Sequence, residues 1–188
     1  MKTHFDIDCL LTLYRKSGAP LSAPGEAGLR ALAANLANDT EITDPRWAAY
    51  MLATVRHECA DRWLPIEEFG RGAGRTYGQV FNGRVYYGRG YVQLTWRENY
   101  LRLGRQLGLG STLEQHPEKV LEPEVAYRIM SFGMRTGSFT GKKLADYINS
   151  AQCDYLDARR IINGTDRADR IAAYARTFQQ ILEASAAA

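Results

Sequence analysis

Apolar residues recur along this chain at two spacings, and the switch between them outlines the fold. Ile7, Leu10, Leu11 and Tyr14 share one face of a predicted helix over 6–16, ended by Ser17-Gly18-Ala19-Pro20, with loop continuing through Pro24-Gly25. Leu29, Leu32, Ala33 and Leu36 predict a second helix over 26–38. Trp47, Ala48, Met51, Leu52 and Val55 mark a third, which Thr43 or Asp44 can cap and in which Pro45 suits the first turn. Residues 63–77, broken by Pro65, Gly70, Gly72 and Gly74, read as loop. The period then changes. Asn82-Gly83, between Val80-Phe81 and Arg84-Val85, signals a type I′ hairpin. Tyr91 to Thr95 alternates with period two, which predicts a third strand with Tyr91, Gln93 and Thr95 on one face and Val92 and Leu94 on the other.

Helical spacing resumes over 98–107, closed by Gly108, and over 123–135, where Val125, Ala126, Ile129 and Met130 point inward. Shorter helices are predicted over 142–149 and 154–163, the second closed by Gly164. A last one runs over 166–183 through Ile171, Tyr174, Phe178 and Ile181, with 184–188 as a frayed tail. The whole predicts one α+β domain over 1–188, mostly helical with a small antiparallel sheet within 79–95. Trp47, Met51, Leu52, Val55, Ile129 and Met130 are expected in the core.

Composition narrows the function. At 188 residues, 45% hydrophobic and 24% charged, the chain can bury a sizeable core. No apolar run approaches the ~18 residues that span a bilayer, so no stable membrane insertion is expected. Acids in the N-terminal segment interrupt any signal-peptide core, which predicts synthesis in the cytoplasm without an export signal. Cys9, Cys59 and Cys153 fit neither a metal pattern nor a complete disulfide framework and are expected as buried free thiols. A net charge of +3 favours an anionic polymer such as a bacterial wall, but with no block of consecutive basic residues it does not support nucleic acid. A monomer is expected.

The chemistry-bearing residues are mostly acids. Glu58 follows Met51 by seven residues and Val55 by three, which puts its carboxylate on the buried edge of the third helix near its C-terminus. Burial and the helix-end partial charge favour the protonated form that a general acid needs. His57-Glu58 resembles half of a zinc-protease motif, but Asp61 stands where the second His belongs, and His4 and His116 lack the spacing. The Gly70-to-Thr76 loop lacks the Lys-Ser/Thr ending of a phosphate loop, and no Gly-x-Ser-x-Gly elbow occurs. What remains is Glu58 with Glu67 or Glu68, two carboxyl groups of the kind that cut a glycosidic bond.

The run from Tyr86 to Tyr100 groups aromatic faces, an amide, a hydroxyl and an Asn. Its Tyr86-Tyr87-Gly88-Arg89-Gly90, Val92-Gln93-Leu94-Thr95 and Asn99-Tyr100 resemble, nearly position for position, the signature of family 19 chitinases and the related phage endolysins of the lysozyme-like superfamily. The resemblance spans about 47–174 and implies a lysozyme-like domain with the sheet beside a cleft. By that resemblance Glu58 is the general acid. The second carboxylate corresponds to Glu67 in preference to Glu68, although their adjacency leaves both in play. Thr95 positions the attacking water, and Gln93, Asn99 and Tyr86 bind substrate. Ile161-Ile162-Asn163-Gly164 matches a further family motif whose Asn touches sugar, with Thr165 where a second Gly is common; Arg170 is the best match to an Arg beyond it. The implied activity is inverting hydrolysis without metal or cofactor. The expected substrate is peptidoglycan, cut between N-acetylmuramic acid and N-acetylglucosamine by a phage or prophage endolysin released by a holin. The alternatives are a chitinase and a catalytically silent wall-binding domain.

Overall fold

The computed structural model describes residues 5–186; His4 and the last two residues of the expected tail lie outside them. In chain order the elements are α1 (Ile7–Lys16), α2 (Ala23–Asn38), α3 (Pro45–Glu58), β1 (Ile66–Glu67), β2 (Arg89–Gly90), α4 (Arg97–Gln106), α5 (Thr112–Gln115), α6 (Pro123–Thr136), α7 (Leu144–Tyr147) and α8 (Ala168–Ala186). Short 3-10 turns cover Thr76–Gly78, Pro117–Leu121 and Asp157–Ile161. The class is α+β and mostly helical, as the pattern predicts. Two compact units are distinguishable: Met1–Trp63 with Gly133–Ala188, and Leu64–Phe132.

In the first unit α8 packs against α3 and α1, and α1 against α2. Asp6 caps α1, its carboxylate accepting from the Cys9 amide at 2.6 Å, and Asp44 caps α3 by accepting from the Arg46 amide at 2.9 Å. α2 starts three residues before its predicted start: Ser22 accepts from the Gly25 amide and Pro24 falls in the first turn, where its missing N–H costs nothing. Residues Ala48 to Val55 are all buried, so α3 is the central helix and has no polar face there. Tyr14, Trp63 and Phe178 interlock with ring centroids 5.3–5.7 Å apart, tying α1, α8 and the chain just after α3 together.

Several expectations are corrected here. Trp47 is only half-buried, because its indole N–H reaches out to the Ile148 carbonyl at 2.9 Å; the other five named core residues are buried. Of the cysteines, all free, only Cys59 is buried. The predicted helix over 142–149 shrinks to α7, since Asn149 turns its carboxamide onto the Ala151 and Gln152 amides. That over 154–163 shrinks to a 3-10 turn, with Asp154 accepting from the Leu156 and Asp157 amides. The tail does not fray as far as Ala186: α8 continues, and the Ser185 carbonyl accepts from the Asp6 amide at 2.9 Å.

In the second unit the sheet is antiparallel and smaller than expected. β1 pairs with β2 in the register Ile66 to Gly90 and Glu67 to Arg89. The hairpin signal holds at its turn: Asn82 and Gly83 both have positive φ, and Phe81 and Arg84 exchange two backbone bonds, but the pairing stops there. Residues 91–95 are not a strand. Gly90 (φ 86°) and Gln93 (φ 53°) are both left-handed, and Arg89 and Leu94 close the loop by two backbone bonds of 3.2 and 2.9 Å. A Cβ on Gly90 would meet Val120 at 3.0 Å, so both the bend and the close approach require glycine there. Tyr91, Val92 and Leu94 are all buried, a pattern that five alternating residues cannot distinguish from a strand.

Candidate active site

Of the eight residues singled out by the sequence, Glu67, Tyr86, Gln93, Thr95 and Asn99 belong to the Leu64–Phe132 unit. Glu67 is on β1, its side chain 31% exposed. The Tyr87 hydroxyl donates to one of its oxygens, and Arg71 pairs with the other at 2.8 Å. The hydrogen bond from Tyr87 and the charge of Arg71 hold the Glu67 carboxyl below the usual carboxylate range, against a smaller opposing effect of burial. Glu68 is held differently. It accepts from the Tyr77 hydroxyl at 2.6 Å and from the Gly88 amide at 3.0 Å, while its own amide donates to the Gly88 carbonyl at 2.7 Å. One carboxylate oxygen and the backbone of Glu68 therefore latch the chain after β1 to Gly88, just before β2, and the other oxygen holds the 76–78 turn.

Gln93 is tied to the paired residues of the ladder: its side-chain Nε2 donates to the carbonyls of Ile66 and Gly90, both at 3.2 Å. This fixes the carboxamide that the sequence assigns to substrate and also repays the left-handed backbone beneath it. Thr95 and Asn99 meet through the Asn99 Nδ2 to Thr95 carbonyl bond of 3.0 Å, and Arg102 donates to Asn99 Oδ1 at 2.9 Å. The Thr95 hydroxyl makes no hydrogen bond among the described residues. Tyr86 accepts from the Trp96 amide through its carbonyl at 3.0 Å, and its hydroxyl is committed to the Glu114 carbonyl at 2.9 Å. What Tyr86 adds to its surroundings is ring surface, in a groove of about 190 Å³ that also includes Tyr77, Phe81 and Trp96. Phe81 and Trp96, 43% and 44% exposed, are rings that the sequence reading passed over, although Trp96 directly follows Thr95 in the motif.

Glu58, Asn163 and Arg170 belong to the other unit, and there one unpredicted residue links the first two. Arg159, whose side chain is 2% exposed, donates from Nη1 to Glu58 Oε1 at 2.6 Å and from Nε to the Asp166 carbonyl at 2.9 Å. The Glu58 carboxylate at the end of α3 thus has a full positive charge beside it, besides the burial and helix-end charge foreseen from sequence. The Asn163 amide donates to the Arg159 carbonyl at 3.0 Å and its side chain is exposed. Arg170, also exposed, sits in the first turn of α8, and its charge acts on His57. Burial pushes the His57 imidazole below its usual range; Arg159 and Arg170 add to the effect and Glu58 opposes it. Arg159 lies just outside the Ile-Ile-Asn-Gly motif, and a contact 101 residues away in sequence leaves no local signal.

Among the described residues no group of three or more His, Cys, Asp or Glu is placed to hold a metal ion, and no helix is long and apolar enough to cross a membrane.

No protein-family model matches the sequence. Over 91 residues, 44% of this chain, it is 41% identical to an endochitinase of Arabidopsis thaliana, of which it spans about a third (33%). In structure it is similar to chitinase C from Streptomyces griseus HUT6037, with a TM-score of 0.64 and 22% identity over 97% of this chain and 94% of that one. It is also similar to a bacterial family 19 chitinase, with a TM-score of 0.56 and 25% identity over 94% and 84% of the two chains. In fold along nearly its full length the chain is similar to chitinases, one of them of family 19, and over those 91 residues it is similar in sequence to an endochitinase; it shares their mostly helical α+β fold.

Proposed function

We propose that this chain is an inverting glycoside hydrolase of β-1,4-linked, N-acetylated amino-sugar polymers. The observation that carries the reading is the 25% identity to a bacterial family 19 chitinase sustained over 94% of the chain. Glu58 protonates the glycosidic oxygen. Glu67, kept charged by Tyr87 and Arg71, removes a proton from water, which the free Thr95 hydroxyl helps to position. Glu67 suits the base role better than Glu68, whose two oxygens already tie the loop to the Gly88 amide and the Tyr77 hydroxyl. Gln93, Asn99, Asn163, Arg170 and the ring of Tyr86 contact the sugars. No metal or cofactor takes part.

Two polymers fit this chemistry. Peptidoglycan, cut between N-acetylmuramic acid and N-acetylglucosamine by an endolysin acting on the bacterial wall, is supported by the net charge of +3, which favours an anionic substrate. Chitin is supported by the relatives, which are named chitinases, and fits at least as well. The test incubates the protein separately with outer-membrane-stripped Gram-negative cells and with colloidal chitin. Clearing of the cells, with fragments ending in reducing N-acetylmuramic acid, supports the endolysin. Release of chito-oligosaccharides without clearing makes it a chitinase. Turnover on neither substrate by the folded protein rejects the hydrolase reading and leaves a silent binding domain.

A further inference from the structure

We propose that Tyr87 and Arg89 are positioning residues of this reaction: Tyr87 clamps the Glu67 carboxylate, and Arg89 clamps Tyr87. The inference rests on the reading of Glu67 as the base. It starts from the ladder, which makes Glu67 and Arg89 direct partners across β1 and β2. Opposite charges facing each other on a ladder commonly pair, yet these two do not; among the described residues Arg89 makes no ion pair with any carboxylate. Arg89 is instead buried, 6% exposed, with its guanidinium over the Tyr87 ring 3.5 Å from the centroid. Its Nη1 donates to the Val85 carbonyl and to the Tyr100 hydroxyl, both at 3.0 Å, and its Nε has no hydrogen-bond partner.

A buried guanidinium with an unsatisfied donor and no carboxylate in direct contact is costly, even though its charge also acts on Glu67 from a distance, so a merely structural account of Arg89 is poor. Its position explains it. A cation over the face of a phenol draws electron density from the ring and strengthens the O–H as a donor. That hydroxyl donates to Glu67. Tyr87 is 7% exposed, and the Tyr100 hydroxyl donates to its carbonyl at 2.7 Å, so ring and backbone are both fixed. Burial, reinforced by the bond to Glu67, pushes the Tyr87 phenol up, so it serves as a donor and not as an acid at neutral pH. The other charged or titratable groups around Glu67 do not duplicate this. Arg71 reaches it from the loop with a side chain 69% exposed, and Glu68 is occupied by Tyr77 and Gly88. Only the Tyr87 clamp is both buried and braced from behind.

Tyr87→Phe keeps the ring, its packing and its stack with Arg89, and removes one hydroxyl. A hydrogen bond to a charged group is worth enough that turnover should fall about ten- to a hundred-fold. The fall should appear mainly in kcat, because the hydroxyl faces the base and not the sugar. Losing a donor to the charged form lets Glu67 take up its proton at higher pH, so the acidic limb of the kcat/KM profile moves toward neutral pH. The carbon-13 shift of the Glu67 carboxyl, titrated in the same protein, should move the same way with no substrate present. Circular dichroism and thermal melting establish that the variant is folded; Arg89→Lys, which keeps charge but loses the planar stack, should move both readouts in the same direction by less. An acidic limb and a carboxyl titration that stay at their wild-type positions in folded Tyr87→Phe overturn the proposal, as does a shifted titration with an unshifted limb. Glu67→Gln separates this from the parent reading. If it retains wild-type turnover, the assignment of the base fails; if it is inactive while Tyr87→Phe is indistinguishable from wild type, only the clamp fails.

Discussion

At the end of α3, Glu58 shares an oxygen with Arg159, a guanidinium 2% exposed and distant in sequence. On β1, Glu67 takes a hydroxyl from Tyr87, twenty residues on, and an arginine, Arg71, that is 69% exposed and four residues on. The first carboxylate is therefore held by the packing of its unit, the second by a local ladder and loop. Disturbing a buried ion pair leaves an uncompensated charge and strikes the fold, whereas disturbing an exposed pair or a single hydroxyl leaves the fold and moves protonation. Substitutions around Glu58 should register in stability, and substitutions around Glu67 in pH dependence.

The largest effect should come from Glu58→Gln, which retains the shape of the acid without its proton. Loss of general acid catalysis is worth about a hundred- to ten-thousand-fold, so turnover should drop by that much, and the melting temperature should fall as well because Arg159 loses its buried counter-charge. A folded Glu58→Gln protein with near wild-type turnover would remove Glu58 from the mechanism. Glu67→Gln should be comparably severe and Glu68→Gln milder, with part of the Glu68 effect visible as a loosened loop in hydrogen exchange; the reverse order of activities would move the base to Glu68. Next comes Arg159→Ala, expected to destabilise the protein by about 3 kcal/mol in urea unfolding, since Glu58 loses its buried partner. Arg159→Lys should recover part of that, because one ammonium cannot span both Glu58 and the Asp166 carbonyl. A loss of stability in Arg159→Ala no larger than that of an exposed pair would erase the contrast between the two sites.

That contrast was only half legible in the sequence. Helix starts announce themselves by chemistry within a few residues, so Asp44 was visible as a candidate cap; Ser22 was obscured because Pro24-Gly25 reads as loop until the chain is seen to turn helical at Ala23. Asn82-Gly83 was legible for the same local reason. β1 was not, since a two-residue strand has no period to detect, and the 91–95 loop imitated a strand because its left-handed Gln93 carries no propensity signal. For the site, the motif singled out Gln93, Thr95 and Asn99 as candidates and the helix spacing pointed to Glu58. The clamps were invisible: Arg159 and Arg89 are buried cations whose partners are set by tertiary packing and by ladder register. The bond from the Tyr86 hydroxyl to the Glu114 carbonyl, which leaves the ring as the surface Tyr86 presents, has no signal in the sequence either.

The smallest expected effect tests the comparison most finely. Arg71 and Glu67 pair with side chains 69% and 31% exposed, so the pair should contribute no more than about 0–1 kcal/mol, and less in high salt. The sign follows from the direction of the Glu67 shift. A carboxyl held below its ordinary range in the folded protein adds stability above its unfolded pKa, and that stability is lost as pH falls through the lower folded value. Wild type and Arg71→Ala should therefore differ slightly in urea midpoint near pH 7 and converge in acid, once Glu67 is protonated in both states. Raising the salt at pH 7 should narrow the gap as acid does, whereas the Tyr87→Phe difference, which depends on a buried hydroxyl, should persist in salt and close only in acid. A gap in Arg71→Ala that survives both salt and acid would mean that Arg71 supports the loop by packing its stem, and the charge at Glu67 would then rest on Tyr87 and Arg89 alone.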